Sequence, residues 1–113
     1  MSQFISRDDL KTLIASGKDH TIVEALPKEY YEAEHLPGAI NIPHDEVQAA
    51  ASRIIPDKSG SVIVYCADGA CQNSHLAAEA LRELGYSSVY EYAEGKDDWK
   101  KAGLPLETDQ GAK

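Results

Sequence analysis

The segment Ser61-Val62-Ile63-Val64-Tyr65 constrains this chain more than any other. It is short and apolar at consecutive positions, as a strand covered on both faces is, and it lacks the strict alternation of a strand with one wet face. It ends directly on Cys66. Ala67, Asp68, Gly69, Ala70, Cys71, Gln72 and Asn73 then make a polar, glycine-containing loop. From Ser74 onward Leu76, Ala77, Ala80, Leu81 and Leu84 recur at helical spacing until Gly85, which suits a left-handed residue just past a helix end. A strand that runs through a loop into an amphipathic helix is the unit from which parallel sheets are assembled.

The same alternation runs through the rest of the chain. Ser6-Arg7-Asp8-Asp9 has the form of a capping box with Asp in place of Glu, and Leu10, Leu13 and Ile14 continue it as a helix that Gly17 stops. Thr21-Ile22-Val23 reads as a buried strand, residues 27–34 as a short helix opened by Pro27, and Ala39-Ile40-Asn41-Ile42 as a brief strand after the turn His35-Leu36-Pro37-Gly38. Residues 45–55 read as an amphipathic helix, residues 88–92 as a strand and residues 96–101 as a helix around Trp99, with a polar tail over residues 108–113. The expectation is an α/β fold: one domain over residues 4–107, with a mainly parallel central sheet, helices on both faces and right-handed crossovers. The 113 residues, 42% of them hydrophobic, supply one core and leave no room for a second. Trp99, Tyr90 and Tyr92 are assigned to the core and its rim, and only one of Tyr30 and Tyr31 can face inward from a helix.

Charge excludes some partners. Lys and Arg number 11 against 19 Asp and Glu, and the net charge of −8 opposes nucleic acid and anionic membrane surfaces, which need clustered cations. The acids, Asp97-Asp98 among them, read as a solvated surface. No run approaches the roughly 20 apolar residues that span a bilayer, and the first six residues lack the basic start and apolar stretch of a secretory signal. A cytoplasmic location is expected, in which Cys66 and Cys71 stay reduced and serve as reactive thiols rather than as a staple.

Chemistry concentrates on the loop. Cys66 lies between a strand end and a helix start, where ligands collect in parallel sheets and where backbone N–H groups favour a thiolate over a thiol. The plain alternative is a small buried hydrophobe that ends a strand. Cys66, Cys71 and His75 give Cys-x4-Cys-x3-His, whose count and spacing are not those of structural zinc sites, so neither metal nor cofactor is expected. His75 can lower a thiol pKa or donate a proton, or simply be solvated. His35 reads as a hydrogen-bonding or packing histidine, and His44 has no assigned role.

Three separated stretches resemble the rhodanese family: Val64-Tyr65-Cys66 with Asn73-Ser74-His75-Leu76-Ala77 and Gly85-Tyr86; His35-Leu36-Pro37-Gly38-Ala39-Ile40-Asn41-Ile42-Pro43; and Glu94-Gly95 with Trp99 and Ala102-Gly103-Leu104-Pro105. The resemblance implies sulfur transfer. Cys66 matches the family's catalytic position, takes a sulfane sulfur as a persulfide and passes it to a thiol or other nucleophile, while the loop from Ala67 to Ser74 binds the substrate and Gly69 lets its backbone approach the sulfur. It also implies partners, namely a small sulfur donor or a persulfide-bearing protein and a thiol acceptor or reductant. The chain departs from the pattern in its loop, which is two residues longer than the common one, with Asn73 in place of an arginine. Leu26 stands where an arginine often follows the first strand, Glu24 stands for an aspartate, and Glu94 for a glycine. Without those cations a doubly charged donor such as thiosulfate is disfavoured, and so is phosphatase chemistry. Cys71 is the added feature: it is either a resolving thiol that attacks a Cys66 persulfide, the primary nucleophile itself, or incidental. A non-catalytic recognition module on the same fold is the competing reading.

Overall fold

The structure, a computed structural model, describes residues 3–108. The expected polar tail lies, from residue 109 on, outside the described residues, as do residues 1 and 2 of the amino-terminal stretch.

Helix α1 spans Arg7–Ser16. Ser6 Oγ accepts the Asp9 N–H at 3.0 Å, one half of the expected capping box, and Gly17 closes the helix at φ 74°. Strand β1 is His20–Glu24, one residue longer at each end than its apolar centre suggested. Helix α2 is Lys28–Ala33, with Pro27 outside it as the cap. Strand β2 is confined to Ile40–Asn41, because Pro43 follows closely and has no N–H to extend the ladder. The helix expected over residues 45–55 begins as a 3₁₀ turn at His44–Glu46, whose Glu46 N–H donates to Pro43 O, and continues as α3, Val47–Ile54. Strand β3, Ser61–Tyr65, leads to α4, Asn73–Glu83, and Gly85 then takes φ 101° as expected of a residue past a helix end. Strand β4 is Ser88–Tyr92, and α5 is Gly95–Lys101.

Among the described residues these strands form one parallel sheet in the order β2-β1-β3-β4. From β1 the chain steps outward to β2 and then returns past β1 to β3. The direction of winding reverses between β1 and β3, so a crevice belongs at their carboxyl ends. Cys66 stands there. The period-2 alternation of the strands divides the core in two. Val62 and Val64 of β3 join Val23, Val89, Val47, Ala51, Ala77, Ala78 and Leu81 beneath α3 and α4. Ile63 and Tyr65 join Ile22, Leu10, Tyr92 and Trp99 beneath α1 and α5. Helices therefore cover both faces, and the expected α/β architecture holds.

Two side-chain readings are sharpened. Tyr31 is the inward member of the tyrosine pair: its ring stacks on His35 at 3.9 Å and its hydroxyl donates to Ala39 O, whereas Tyr30 is exposed. Asp98 is not merely solvated, since it accepts the Tyr92 hydroxyl at 2.6 Å and pairs with Arg7 at 3.1 Å, tying α5 to β4 and α1. Among the described residues, no helix is long and apolar enough to cross a membrane.

Candidate active site

Two devices fix the base of the cysteine loop. The first is a backbone clasp: the Lys96 N–H donates to Cys66 O at 2.8 Å and the Asp97 N–H to Ala67 O at 2.7 Å, so the first turn of α5 holds the first two carbonyls of the loop. This approach is possible only at Gly95, which has φ +74°. A Cβ there would lie 2.6 Å from Cys66 O and 2.9 Å from both Ala67 C and Asp68 N. Gly69 is not crowded in this way. A Cβ at Gly69 meets only Ala93 O at 4.0 Å, because Gly69 is on the exposed part of the loop and its φ is not positive.

The second device is a buried polar triad. Tyr65, the last residue of β3, donates its hydroxyl to Glu24 Oε1 at 2.6 Å and accepts the Leu36 N–H at 3.1 Å. Lys96 Nζ donates to Glu24 Oε2 at 3.0 Å and to the carbonyls of Tyr30 and Glu34 at 3.0 and 2.6 Å. Burial pushes the Glu24 carboxyl above its ordinary range, and the Tyr65 and Lys96 donors pull against that. Burial first, then the neighbouring Glu24 charge, pushes the Tyr65 hydroxyl up. The triad joins β1, β3, α5 and the α2 end through Tyr65, the residue that precedes Cys66.

The loop carries the two sulfurs together. Cys66 and Cys71 form a disulfide, with Cα atoms 6.4 Å apart. The expectation that both stay as separate thiols is corrected on this point: the turn closed by the Cys71 N–H on Asp68 O brings Cys71 back onto Cys66. Cross-linking so short a loop is worth only about 2 kcal/mol by chain entropy, and the bond sits at the strand ends rather than across the domain. Asp68 also accepts the Ala70 N–H on its own Oδ1, so the loop's own carboxylate occupies a backbone donor.

Cys66 is 1% exposed, and Cys71 is half-buried. Behind Cys66 runs a polar line that the sequence reading did not assemble. Cys66 Sγ lies 3.5 Å from Ser74 Oγ, and the Ser74 hydroxyl donates to Glu91 Oε2 at 2.9 Å. Glu91 Oε1 lies 3.6 Å from His75 Nδ1, whose ring also approaches Glu79 through Nε2 at 3.2 Å. Alternation in β4 carried the missed signal: Glu91 follows Val89 by two positions and therefore points to the same buried face.

Of the residues assigned from sequence, Cys66, Cys71 and Ser74 come together. Ala67 and Asn73 flank them half-buried, Asn73 as the first residue of α4, while Asp68, Gly69, Ala70 and Gln72 form the exposed rim. Leu26 is buried and offers only its carbonyl, which accepts from Asn41 Nδ2 at 2.8 Å. Arg7 is committed to Asp98 and Arg82 to Val89 O, and Arg53 lies in the last turn of α3. His35, buried against Tyr31, packs and hydrogen-bonds as its turn position suggested.

A parallel sheet with a cysteine loop between β3 and α4 defines a class. Residues 6–102 match the Rhodanese-like domain, and the chain belongs to that family. It is 44% identical over 71 residues to the thiosulfate sulfurtransferase PspE of Escherichia coli, covering 63% of this chain and 65% of that protein. It is 35% identical over 92 residues to the HTH-type transcriptional regulator Rv0324 of Mycobacterium tuberculosis, covering 81% of this chain and 38% of that protein. The chain thus spans less than two thirds of the length of each of these relatives. Among solved structures, the BH2092 protein from Bacillus halodurans superposes with a TM-score of 0.88 at 28% identity, over 98% of this chain and 80% of that one.

Proposed function

We propose that this chain is a sulfurtransferase or persulfide carrier in which Cys66 takes a sulfane sulfur and Cys71 resolves it. The pairing of the two sulfurs at the carboxyl end of β3 carries this reading. In the first step the Cys66 thiolate attacks the outer sulfur of a donor R–S–S⁻, forming Cys66–S–S⁻ and releasing R–S⁻. The persulfide then passes its outer sulfur to an acceptor thiol. Alternatively, the Cys71 thiolate attacks Cys66 Sγ, forming the observed disulfide and expelling sulfide, after which an external thiol reductant reopens the bond. Turnover by either route needs a supply of thiols, as the cytoplasm provides. Backbone N–H groups at the start of α4, from Gln72 to Ser74, supply the anion-stabilising donors.

The donor is a polysulfide, a low-charge persulfide or a persulfide-bearing protein. Asp68 in the loop, and the engagement of Arg7 and Arg82 elsewhere, disfavour the two negative charges of thiosulfate. The test is sulfide release with glutathione as reductant, from polysulfide and from thiosulfate, in wild type, Cys66→Ser and Cys71→Ser. Polysulfide turnover that exceeds thiosulfate turnover and is abolished in Cys66→Ser is expected; faster turnover of thiosulfate would contradict the donor assignment.

The match to a transcriptional regulator, over 38% of its length, favours one second reading: a recognition module that keeps the fold without turnover. Equal, background-level sulfide release by wild type and Cys66→Ser would favour that module.

A further inference from the structure

Among the described residues, one buried side-chain oxygen or nitrogen has no hydrogen-bond partner: Glu91 Oε1. Glu91 is 5% exposed on β4, the last strand of the sheet, on a face otherwise covered by apolar side chains, a costly place for a carboxylate that serves only packing. Its other oxygen holds the Ser74 hydroxyl, and that hydroxyl touches Cys66. Half-buried His75 approaches Glu91 Oε1 to 3.6 Å and leads through Glu79 to solvent. We propose that Glu91 is the proton reservoir of Cys66, exchanging a proton with its sulfur through Ser74 Oγ and with solvent through His75.

This inference rests on the reading of Cys66 and Cys71 as the working pair. The disulfide state makes the need explicit. Cys71 is the more accessible sulfur, so a reductant thiolate R–S⁻ attacks Cys71 Sγ, forms R–S–S–Cys71 and expels Cys66 as a thiolate. Solvent cannot hand a proton directly to a sulfur that is 1% exposed. The proton comes instead from the Glu91 carboxyl: it moves to Ser74 Oγ as the Ser74 proton moves to Cys66 Sγ, leaving Cys66–SH and the Glu91 carboxylate. In the disulfide state the Ser74 hydroxyl donates to Glu91, so delivery requires Glu91 to take up a proton and the Ser74 hydroxyl to turn toward Cys66. When the Cys66 thiol next attacks a donor, the line runs in reverse. Glu91 touches no reacting atom and is a positioning residue for the proton, acting through Ser74.

The titratable groups that face this line are His75 and Glu79 on α4 and the two cysteines. On β3 the neighbour of Glu91 is Val64, and on its other side residues 3–5 form a single bridge to it, with Ile5 N–H donating to Glu91 O and Glu91 N–H to Gln3 O. The experiment is the rate at which glutathione opens the Cys66–Cys71 disulfide in the full chain, divided by the glutathione thiolate concentration and followed against pH. Wild type is expected to slow as pH rises, as delivery of a proton along this line requires. Glu91→Gln, nearly isosteric, and Ser74→Ala are each expected to be at least about ten-fold slower at the low-pH end and flat with pH, as loss of a general acid requires. A Glu91→Gln variant with wild-type rates and profile would overturn the proposal. So would a profile that survives in both variants and vanishes only in His75→Gln. The assay uses no sulfur donor, so the two readings fail separately: persulfide formation can fail while opening still depends on Glu91, or succeed while opening ignores it.

Discussion

Replacing Gly95 by alanine tests whether the clasp between α5 and the cysteine loop positions the site. The new Cβ would stand 2.6 Å from Cys66 O and 2.9 Å from two further backbone atoms, and no flexible side chain is available to yield. Holding alanine at φ +74° costs about 1–2 kcal/mol, and relieving an overlap in a packed region adds about 1–3 kcal/mol. The sum, about 2–5 kcal/mol, is a large part of an ordinary domain's stability and corresponds to a fall in melting temperature of roughly 10–20 °C. Whatever relaxation occurs must move Cys66 or Ala67, and displacement of a reacting group by about 1 Å can cost on the order of 100-fold in rate. The assay is thermal unfolding by circular dichroism together with sulfide release from polysulfide. Gly69→Ala serves as the matched control, since a Cβ there meets only Ala93 O at 4.0 Å; its stability should stay within about 0.5 kcal/mol of wild type. A Gly95→Ala protein as stable and active as wild type would refute the reasoning, as would equal losses in the two variants.

The buried triad gives two further predictions. Lys96→Met leaves the Glu24 carboxylate and the Tyr30 and Glu34 carbonyls without their donor, and should cost about 3–5 kcal/mol in urea unfolding, whereas an exposed lysine such as Lys101 replaced by Met should cost almost nothing. Burial raises the Glu24 carboxyl above its ordinary 4.5, so the folded protein binds that proton more tightly than the unfolded chain does. Its contribution to stability is therefore largest below the ordinary value and is lost as pH rises toward the raised one. The stability of wild type relative to Glu24→Gln should fall across that window, and a difference independent of pH from about 4 to about 7 would contradict the assignment.

Residues with strong local signals were legible in the sequence. The run Ser61–Tyr65 and its stop at Cys66 could be read directly, because a strand buried on both faces has no polar interruptions to blur its ends. Helix α4 followed from its periodic apolar positions and from Gly85, whose left-handed φ few other residues tolerate. The resemblance added to Cys66, already singled out by its place at the strand end, the expectation of a persulfide and of an anion-binding loop. The parts that stayed hidden are those set by contacts between distant segments. Glu24 and Lys96 are 72 positions apart, and nothing local shows that a lysine in a seven-residue helix turns inward to a strand end. Gly95 carried no sign that it meets the loop, since the meeting is made by tertiary packing. Glu91 was the accessible miss: the alternation Val89, Tyr90, Glu91, Tyr92 puts an acid on the valine's face, and a carboxylate there is a reason to search for partners.

Intact mass after incubation with polysulfide, in wild type, Cys66→Ser and Cys71→Ser, tests the sulfur-transfer account most directly. Cys71→Ser should gain one sulfur and hold it, because the resolving thiol is gone. Reduced wild type should lose two hydrogens as the disulfide forms, and Cys66→Ser should show neither change. A sulfur that accumulates on Cys66→Ser would transfer the primary role to Cys71, and the absence of any mass change in all three proteins would contradict the account.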